Sequence, residues 1–435
     1  MNRTKITDFL TGKSVWKMYK LYNETQWYSK EKMGEFQLRK LRKLLVHCYR
    51  NVPYYEKIIN ERKIDIYNIE SLKILNEFPV LTKETIQKNY NDFIPRNNKE
   101  ISGVVTKQTG GTTGNILYNR NDANTRSSVW AAYRRYEGWM GHHEGDKMLM
   151  LMGGHIKKIS FNERIKTEID KFLNNISAVD IYDTTPESLE KVVSLLMKYN
   201  FSHIRSYPQF LYAIAKHIED KQMRFNVRSI SSTAEPVMPE HRRAFKKIFN
   251  AETFDQYGCG EIGCIACECD HHKGLHITEE RVIVETNEFN ELLVTDLDNY
   301  TMPFIRYWNA DQAIISKEEC TCGRKSKMIG RIMGRTCDYI IGLNGEFLHW
   351  AYFWHLIFDS NIAKNRNLRK FQIIQSSQKD LQIKLVCEML SADEKTFILT
   401  DIKKRVGDMN IEFSYVENIE NTATGKYRPV INDVI

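Results

Sequence analysis

The 435-residue sequence predicts an α/β chain, with a large N-terminal domain of β-sheets covered by helices and a small C-terminal α+β domain. Two observations predict it. Between residues 100 and 330, short apolar runs alternate with amphipathic helical stretches, the texture of sheets sandwiched by helices. After residue 334 the pattern restarts as a helix, two alternating strands, a second helix and a last strand, enough for a separate small domain. The boundaries predicted are 1–333 for the large domain, 334–338 for a hinge and 339–435 for the small domain.

Residues 1–100 read as mostly helical. Leu38, Leu41, Leu44 and Leu45 fall at helical spacing. Val52-Pro53 ends that helix, because a residue before proline is pushed out of the α region. Thr82 is placed to cap a helix that follows it. Strands are expected at 148–153, 176–182 and 203–208, a helix at 187–199, and a strand pair at 279–285 and 290–297. In the small domain a helix near 350–360 precedes strands at 370–377 and 381–389, a helix near 393–406 and a last strand at 411–416.

Composition narrows the class. Hydrophobic residues make up 42% and charged residues 27%, ordinary globular usage that supports a sizeable core and excludes wholesale disorder. The net charge of +8 is small for this length and reads as a solvated surface, compatible with an anionic small molecule. Basic residues are spread along the chain, so no nucleic-acid partner is expected. No apolar run approaches the roughly 20 residues that span a bilayer, and no apolar segment follows the polar start. A cytoplasmic monomer or homodimer without a membrane partner is expected. Of the nine cysteines, six lie between Cys259 and Cys322, a clustering that points to metal or free thiols rather than a secreted disulfide framework.

The strongest local signal is Thr109-Gly110-Gly111-Thr112-Thr113-Gly114. Three glycines let the backbone approach a phosphate closely, and threonine hydroxyls add donors. No Lys-Ser/Thr follows the last glycine, so this is not a Walker loop. Further along stand Ala234-Glu235-Pro236, then Tyr257-Gly258 with Glu261, Asp311, Gly334-Arg335, and Lys426 in a Thr/Gly turn near the end. Taken one at a time, each is explained by an ordinary turn or cap.

Taken in order, they resemble the adenylate-forming superfamily of acyl-CoA synthetases, adenylation domains and luciferases, and within it the branch of phenylacetate-CoA ligases and CapK-type capsular polysaccharide proteins. The resemblance runs from Leu38 to Ile431. It implies that Thr109–Gly114 cradles the phosphates of ATP and that Ala234, Glu235 and Pro236 contact adenine. It implies that Tyr257 and Gly258 wall the pocket, that Glu261 holds Mg²⁺, and that Asp311 takes the ribose hydroxyls. Arg335 would contact the nucleotide at the hinge into a mobile C-terminal domain, and Lys426 would reach the reacting carboxylate and α-phosphate. The chain departs from the pattern at Asn115, Ala310 and Cys337, where the superfamily has lysine, glycine and an acid; Asp338 is a substitute for the last.

Cys269-x6-His276 and Cys320-x-Cys322 form two paired sets of thiolate and imidazole, the chemistry of tetrahedral Zn²⁺. Related proteins of the same branch carry similar positions. Cys264 and Cys267 are possible substitutes for any one ligand. With four protein ligands the ion would be structural, pinning the substrate-proximal hairpin beside Glu261.

The resemblance implies a carboxylate ligase that makes an acyl-adenylate from ATP and a small, aryl or arylacetic acid, then passes the acyl group on. Coenzyme A is the first acceptor considered; an amine in capsular polysaccharide or specialised metabolite synthesis is the second. A degenerate, inactive paralogue is the third reading. Tyr207, Trp308 and Gly153-Gly154-His155 are candidate pocket positions for the acid.

Overall fold

The computed structural model describes residues 3–109, 117–152, 168–169, 171–180, 186–335, 339–345, 347–354, 356–357, 362–420 and 427–434. They divide into two compact units, Met1–Asn309 with Ala313–Ile332, and Ala310–Gln312 with Met333–Ile435. The protein is a mixed α/β chain with a large sheet-rich N-terminal part and a smaller C-terminal α+β part.

The N-terminal helices follow from local chemistry. The Lys30–Asn51 helix starts where Ser29 accepts from the Lys32 N–H and buries Leu41, Leu44 and Leu45 completely. It stops at Val52, and Pro53 opens the next helix at its first position, where a missing N–H costs nothing. Thr82 accepts from the Thr85 N–H at 3.2 Å and caps the Lys83–Lys88 helix.

The large unit is built on strands β1 (Val105–Thr109), β2 (Leu117–Asn121), β3 (Met148–Met152), β4 (Ile176–Asp180), β5 (His203–Ser206), β6 (Ser229–Thr233), β7 (Glu252–Cys259), β8 (Gly263–Glu268), β9 (Leu275–Ile277), β10 (Val282–Thr286), β11 (Glu291–Asp296), β12 (Tyr307–Ile315) and β13 (Met328–Arg335). β1 and β2 form a separate antiparallel pair. Among the described residues the other eleven form one sheet in the order β10-β11-β12-β13-β9-β8-β7-β6-β5-β3-β4. The half from β4 to β7 is parallel, with helices Pro186–Lys198, Pro208–Asp220 and Pro239–Phe249 between its strands. That is the crossover architecture parallel pairing requires. From β7 onward the described pairings are antiparallel, so hairpins suffice.

Two cores result. One packs Leu149, Ile204, Ile230, Leu211 and Phe245 between the parallel strands and their helices. The other packs Leu41, Leu44, Phe78, Val294 and Phe304 between the N-terminal helices and the antiparallel strands. The Ala123–Trp139 helix covers polar groups. Beneath it, fully buried Arg281 donates to Ser128 Oγ (3.1 Å), the Cys264 carbonyl (2.7 Å) and the Ile262 carbonyl (3.1 Å), and pairs with Asp296 at 3.3 Å.

The small unit holds β14 (Tyr339–Ile341), β15 (Phe347–His349), β16 (Lys370–Gln375), β17 (Asp380–Val386), β18 (Asn410–Tyr415) and β19 (Val430–Asn432). Four of them form a sheet in the order β18-β17-β16-β19. β17 and β18 are parallel, joined through the Ala392–Val406 helix, whose start carries a reciprocal Ser391–Glu394 capping box. The strand expected last, at 411–416, is not last. β19 follows it and pairs in parallel with β16, too short a run of alternation to be read in advance. Among the described residues no helix is long and apolar enough to cross a membrane.

Candidate active site and metal centre

The parallel strands deliver the first group of residues. β6 and β7 run side by side with Thr233 opposite Gln256, so the segments that leave their carboxyl ends are neighbours. Ala234-Glu235-Pro236 directly follow β6 and Tyr257-Gly258 are among the last residues of β7, at the place where open parallel sheets bind ligands. Ala234 has φ +71°, a left-handed turn unusual for alanine that redirects the chain as it leaves the strand. Glu235 accepts from the Gln209 N–H at 3.2 Å in the first turn of the Pro208–Asp220 helix, whose positive end suits a carboxylate.

At Tyr257/Gly258 the register between β7 and β8 shifts. Gly258 is there for room: a Cβ on it would lie 2.1 Å from the Gly263 carbonyl oxygen. Two asparagines hold this corner. Buried Asn119 of β2 donates to the Gly260 and Glu261 carbonyls at 3.1 and 3.0 Å, fixing the turn that carries Glu261. Asn309 donates to the Tyr257 hydroxyl at 2.7 Å. Neither was anticipated, since an asparagine amid alternating residues has no distinguishing local pattern.

Asp311 lies buried on β12, and Ala310 before it has φ +63°. Ala310, where the resemblance implies glycine, thus keeps the left-handed backbone, at a cost of about 1 kcal/mol for a Cβ. Thr109 ends β1 and Arg335 ends β13; of their side chains nothing is described. Gly110, Gly111, Thr112, Thr113, Gly114 and Lys426 lie outside the described residues, as do Gly153, Gly154 and His155. Tyr207 belongs to the core under the Pro208–Asp220 helix.

The structure also brings Cys269, His276, Cys320 and Cys322 together. Their ligand atoms all lie within 4.8 Å of one another. Cys269 Sγ is 3.7 Å from Cys320 Sγ, and Cys322 Sγ is 3.4 Å from His276 Nε2. A tetrahedron on bonds of about 2.0–2.3 Å has edges of about 3.3–3.8 Å, so the donor set fits zinc. His276 Nδ1 meets Ser326 Oγ at 2.8 Å, which turns Nε2 toward the thiols. Burial, with Arg324 nearby, pushes the imidazole down to about 4, so it is neutral, as a ligand must be. Met328 and Trp139 close the cluster. Cys264 and Cys267 stand apart: their sulfurs are 3.9 Å from each other and pack with Tyr136 and Phe254.

One expectation is corrected here. Cys269 follows the far end of β8, while Glu261 precedes its start, so the four-ligand cluster does not adjoin Glu261. The strand between them, Gly263–Glu268, spans roughly 20 Å. What the cluster ties is the β8–β9 turn to the segment between β12 and β13.

Close by, Glu279 is buried and accepts from the Lys327 N–H at 3.1 Å. Burial pushes its carboxyl up to about 7, and Glu280 adds to this against the pull of the Lys327 N–H and ammonium. The folded state therefore holds a proton that the unfolded chain releases. The stabilisation is complete below about pH 4 and is lost as pH rises through about 7. Glu279→Gln keeps an acceptor for Lys327 and removes the titration. We expect it to flatten the fall in melting temperature between pH 5 and 8 and to stabilise the protein at pH 8 by on the order of 2 kcal/mol. An unchanged slope in a melting series would contradict this.

Comparison with known proteins accords with this geometry. Residues 352–433 match the family model of the CapK C-terminal domain. Protein CapK of Staphylococcus aureus is 24% identical over 415 residues, covering 92% of this chain and 89% of its own. The chain resembles the CapK and phenylacetate-CoA ligase branch of the adenylate-forming superfamily. A phenylacetate-coenzyme A ligase of Thermus thermophilus is 23% identical, over 73% of this chain and 74% of its own. Among solved structures, a 2-hydroxyisobutyryl-CoA ligase in its postadenylation state superposes with TM-score 0.75 at 15% identity, covering 94% of this chain and 92% of that one. The fold is that of an adenylate-forming ligase.

Proposed function

We propose that this protein is an AMP-forming carboxylate ligase that activates a small acid with ATP and passes the acyl group to coenzyme A. The observation that carries the reading is the adjacency of Ala234–Pro236 and Tyr257–Glu261 at the carboxyl ends of β6 and β7, in a chain similar along nearly its whole length to CapK.

In the first step a carboxylate oxygen attacks the α-phosphorus of ATP and the bond to pyrophosphate breaks. The 109–114 loop supplies backbone N–H groups for the phosphates, and Asp311 accepts from the ribose hydroxyls. Glu261 is the residue that would hold Mg²⁺, which neutralises phosphate charge when bound. Lys426 stabilises the charge that grows on the transferring group. In the second step the thiolate of coenzyme A attacks the acyl carbon and AMP leaves. The C-terminal domain, turning about 334–338 with Arg335 at its edge, exchanges one acceptor geometry for the other. Cys269, His276, Cys320 and Cys322 would hold a zinc ion that serves the fold, because four protein ligands leave no position for substrate.

Carboxylate-dependent ATP–pyrophosphate exchange over a panel of acids tests the first step. Lys426→Ala is expected to lower exchange about 10²–10³-fold while ATP binding is retained. Undiminished exchange in that variant removes Lys426 from the reaction, and silence with every acid removes the reading. AMP release that requires coenzyme A tests the second step; release with an amine instead replaces the acceptor.

A further inference from the structure

Three arginines are buried where the Ala123–Trp139 helix covers the sheet: Arg135, Arg205 and Arg281, none more than 5% exposed. Arg281 pairs with Asp296 and Arg135 with Glu280. Arg205 has no carboxylate partner among the described residues. Its guanidinium lies over the Tyr133 ring, 4.3 Å from the centroid, and its Nε has no hydrogen-bond partner among them. A ring face recovers only part of what burying a charge costs.

A second orphan lies on the same face. Arg205 is opposite Ser231, Ser231 opposite Phe254 and Thr233 opposite Gln256, so alternation puts Arg205, Ser231, Thr233 and Gln256 on one side of β5, β6 and β7. Gln256 is 3% exposed, and neither of its amide atoms has a hydrogen-bond partner among the described residues. Of the other ionisable groups that this alternation puts on that face, Glu252 pairs with Lys246 at 2.7 Å at the opposite end of β7, and His203 is satisfied and uncharged. His203 meets Ser229 and Ser231 hydroxyls at 2.8 and 2.9 Å, and burial holds its imidazole far below the usual range. Arg205 and Gln256 are two strands apart, about 10 Å across the sheet. Both sit at its carboxyl edge, and Gln256 directly precedes Tyr257.

We propose that Arg205 and Gln256 select the acyl substrate, which carries a second carboxylate remote from the reacting one, bound by the Arg205 guanidinium. This rests on the ligase reading above, in which Tyr257, next in sequence to Gln256, walls the pocket. A guanidinium takes a carboxylate through two parallel N–H bonds, and Gln256 offers a donor and an acceptor to the same part of the molecule. A phenyl ring in this place leaves all of those groups buried and unmatched. Sites built for a polar group reject analogues that lack it by large factors.

Calorimetric titration of the full chain with the α,ω-dicarboxylates from malonate to adipate tests this, against monocarboxylates of equal chain length and phenylacetate, with ATP–pyrophosphate exchange run in parallel. One dicarboxylate is expected to bind at least about 100-fold tighter than its matched monocarboxylate. Arg205→Met should bind the two alike, while Arg205→Lys, which keeps the charge, retains part of the preference. A wild type that favours the monocarboxylate, or an unchanged preference in Arg205→Met, overturns the inference. Should Arg205→Met fail to fold, Gln256→Leu is expected to cut the preference about tenfold, the effect of one lost hydrogen bond to a charged group, and an unchanged value there overturns it too. Dicarboxylate binding without exchange upholds this inference and sinks the ligase reading; exchange with monocarboxylates alone does the reverse.

Discussion

Cys269→Ser is expected to reduce bound zinc from about one ion per chain to near zero and to destabilise the protein by on the order of 5 kcal/mol, part of the roughly 10–16 kcal/mol apparent binding energy of structural zinc. The argument is geometric. Three sulfurs and one imidazole nitrogen lie within 4.8 Å of one another, and without an ion the sulfurs repel one another as thiolates or stay protonated as weakly bonded thiols. With an ion they join the β8–β9 turn to the β12–β13 segment. Because β9 also pairs with β13, through Met328 opposite His276, a bound metal would reinforce a short contact of two residue pairs. The length of β8 separates it from Glu261, so the loss should fall on stability, with exchange per folded molecule changed less than about threefold, inside the spread of uncoupled distant sites. Cys264→Ser should leave zinc content unaltered. Metal analysis and melting curves of the two variants check this; full zinc in Cys269→Ser would refute it.

Arg281→Met is expected to cost about 3–5 kcal/mol, since it strands Asp296 as a buried, unpaired carboxylate. Arg281 also holds the Ile262 and Cys264 carbonyls, on either side of the start of β8. That end of the hairpin carries Glu261. The substitution should therefore lower ATP–pyrophosphate exchange beyond what the lost stability explains. Arg281→Met combined with Asp296→Leu should recover part of the stability, because it removes both charges, and none of the exchange. Denaturant titration of the single and double variants reads the first effect. Equal stability of Arg281→Met and wild type would show that the pair contributes nothing.

Much of the fold was legible in the sequence. The Leu38–Leu45 spacing, Pro53 and Thr82 act over one turn of chain, and the helices start and stop where they require. The strand pair at β10 and β11 was equally plain, since alternation and an intervening polar turn are local signals. β19 was missed because three residues carry no period. In the candidate site, Tyr257, Gly258 and Glu261 were legible as a motif, but their supports, Asn119 and Asn309, were not. They lie far off in sequence and meet the motif only after the sheet has formed.

Local chemistry, then, determined the alternating elements, the helix ends, the glycine at the Tyr257 corner and the metal-ligand residue types, because propensity, capping and donor chemistry belong to a few neighbouring residues. The order of the strands was decided by the tertiary structure alone. That order set the four candidate ligands a strand's length from Glu261, matched Arg281 with Asp296 and Arg135 with Glu280, and left Arg205 and Gln256 buried without such partners among the described residues. Whether a buried charge is neutralised depends on which strands lie side by side, and no stretch of sequence carries that information by itself.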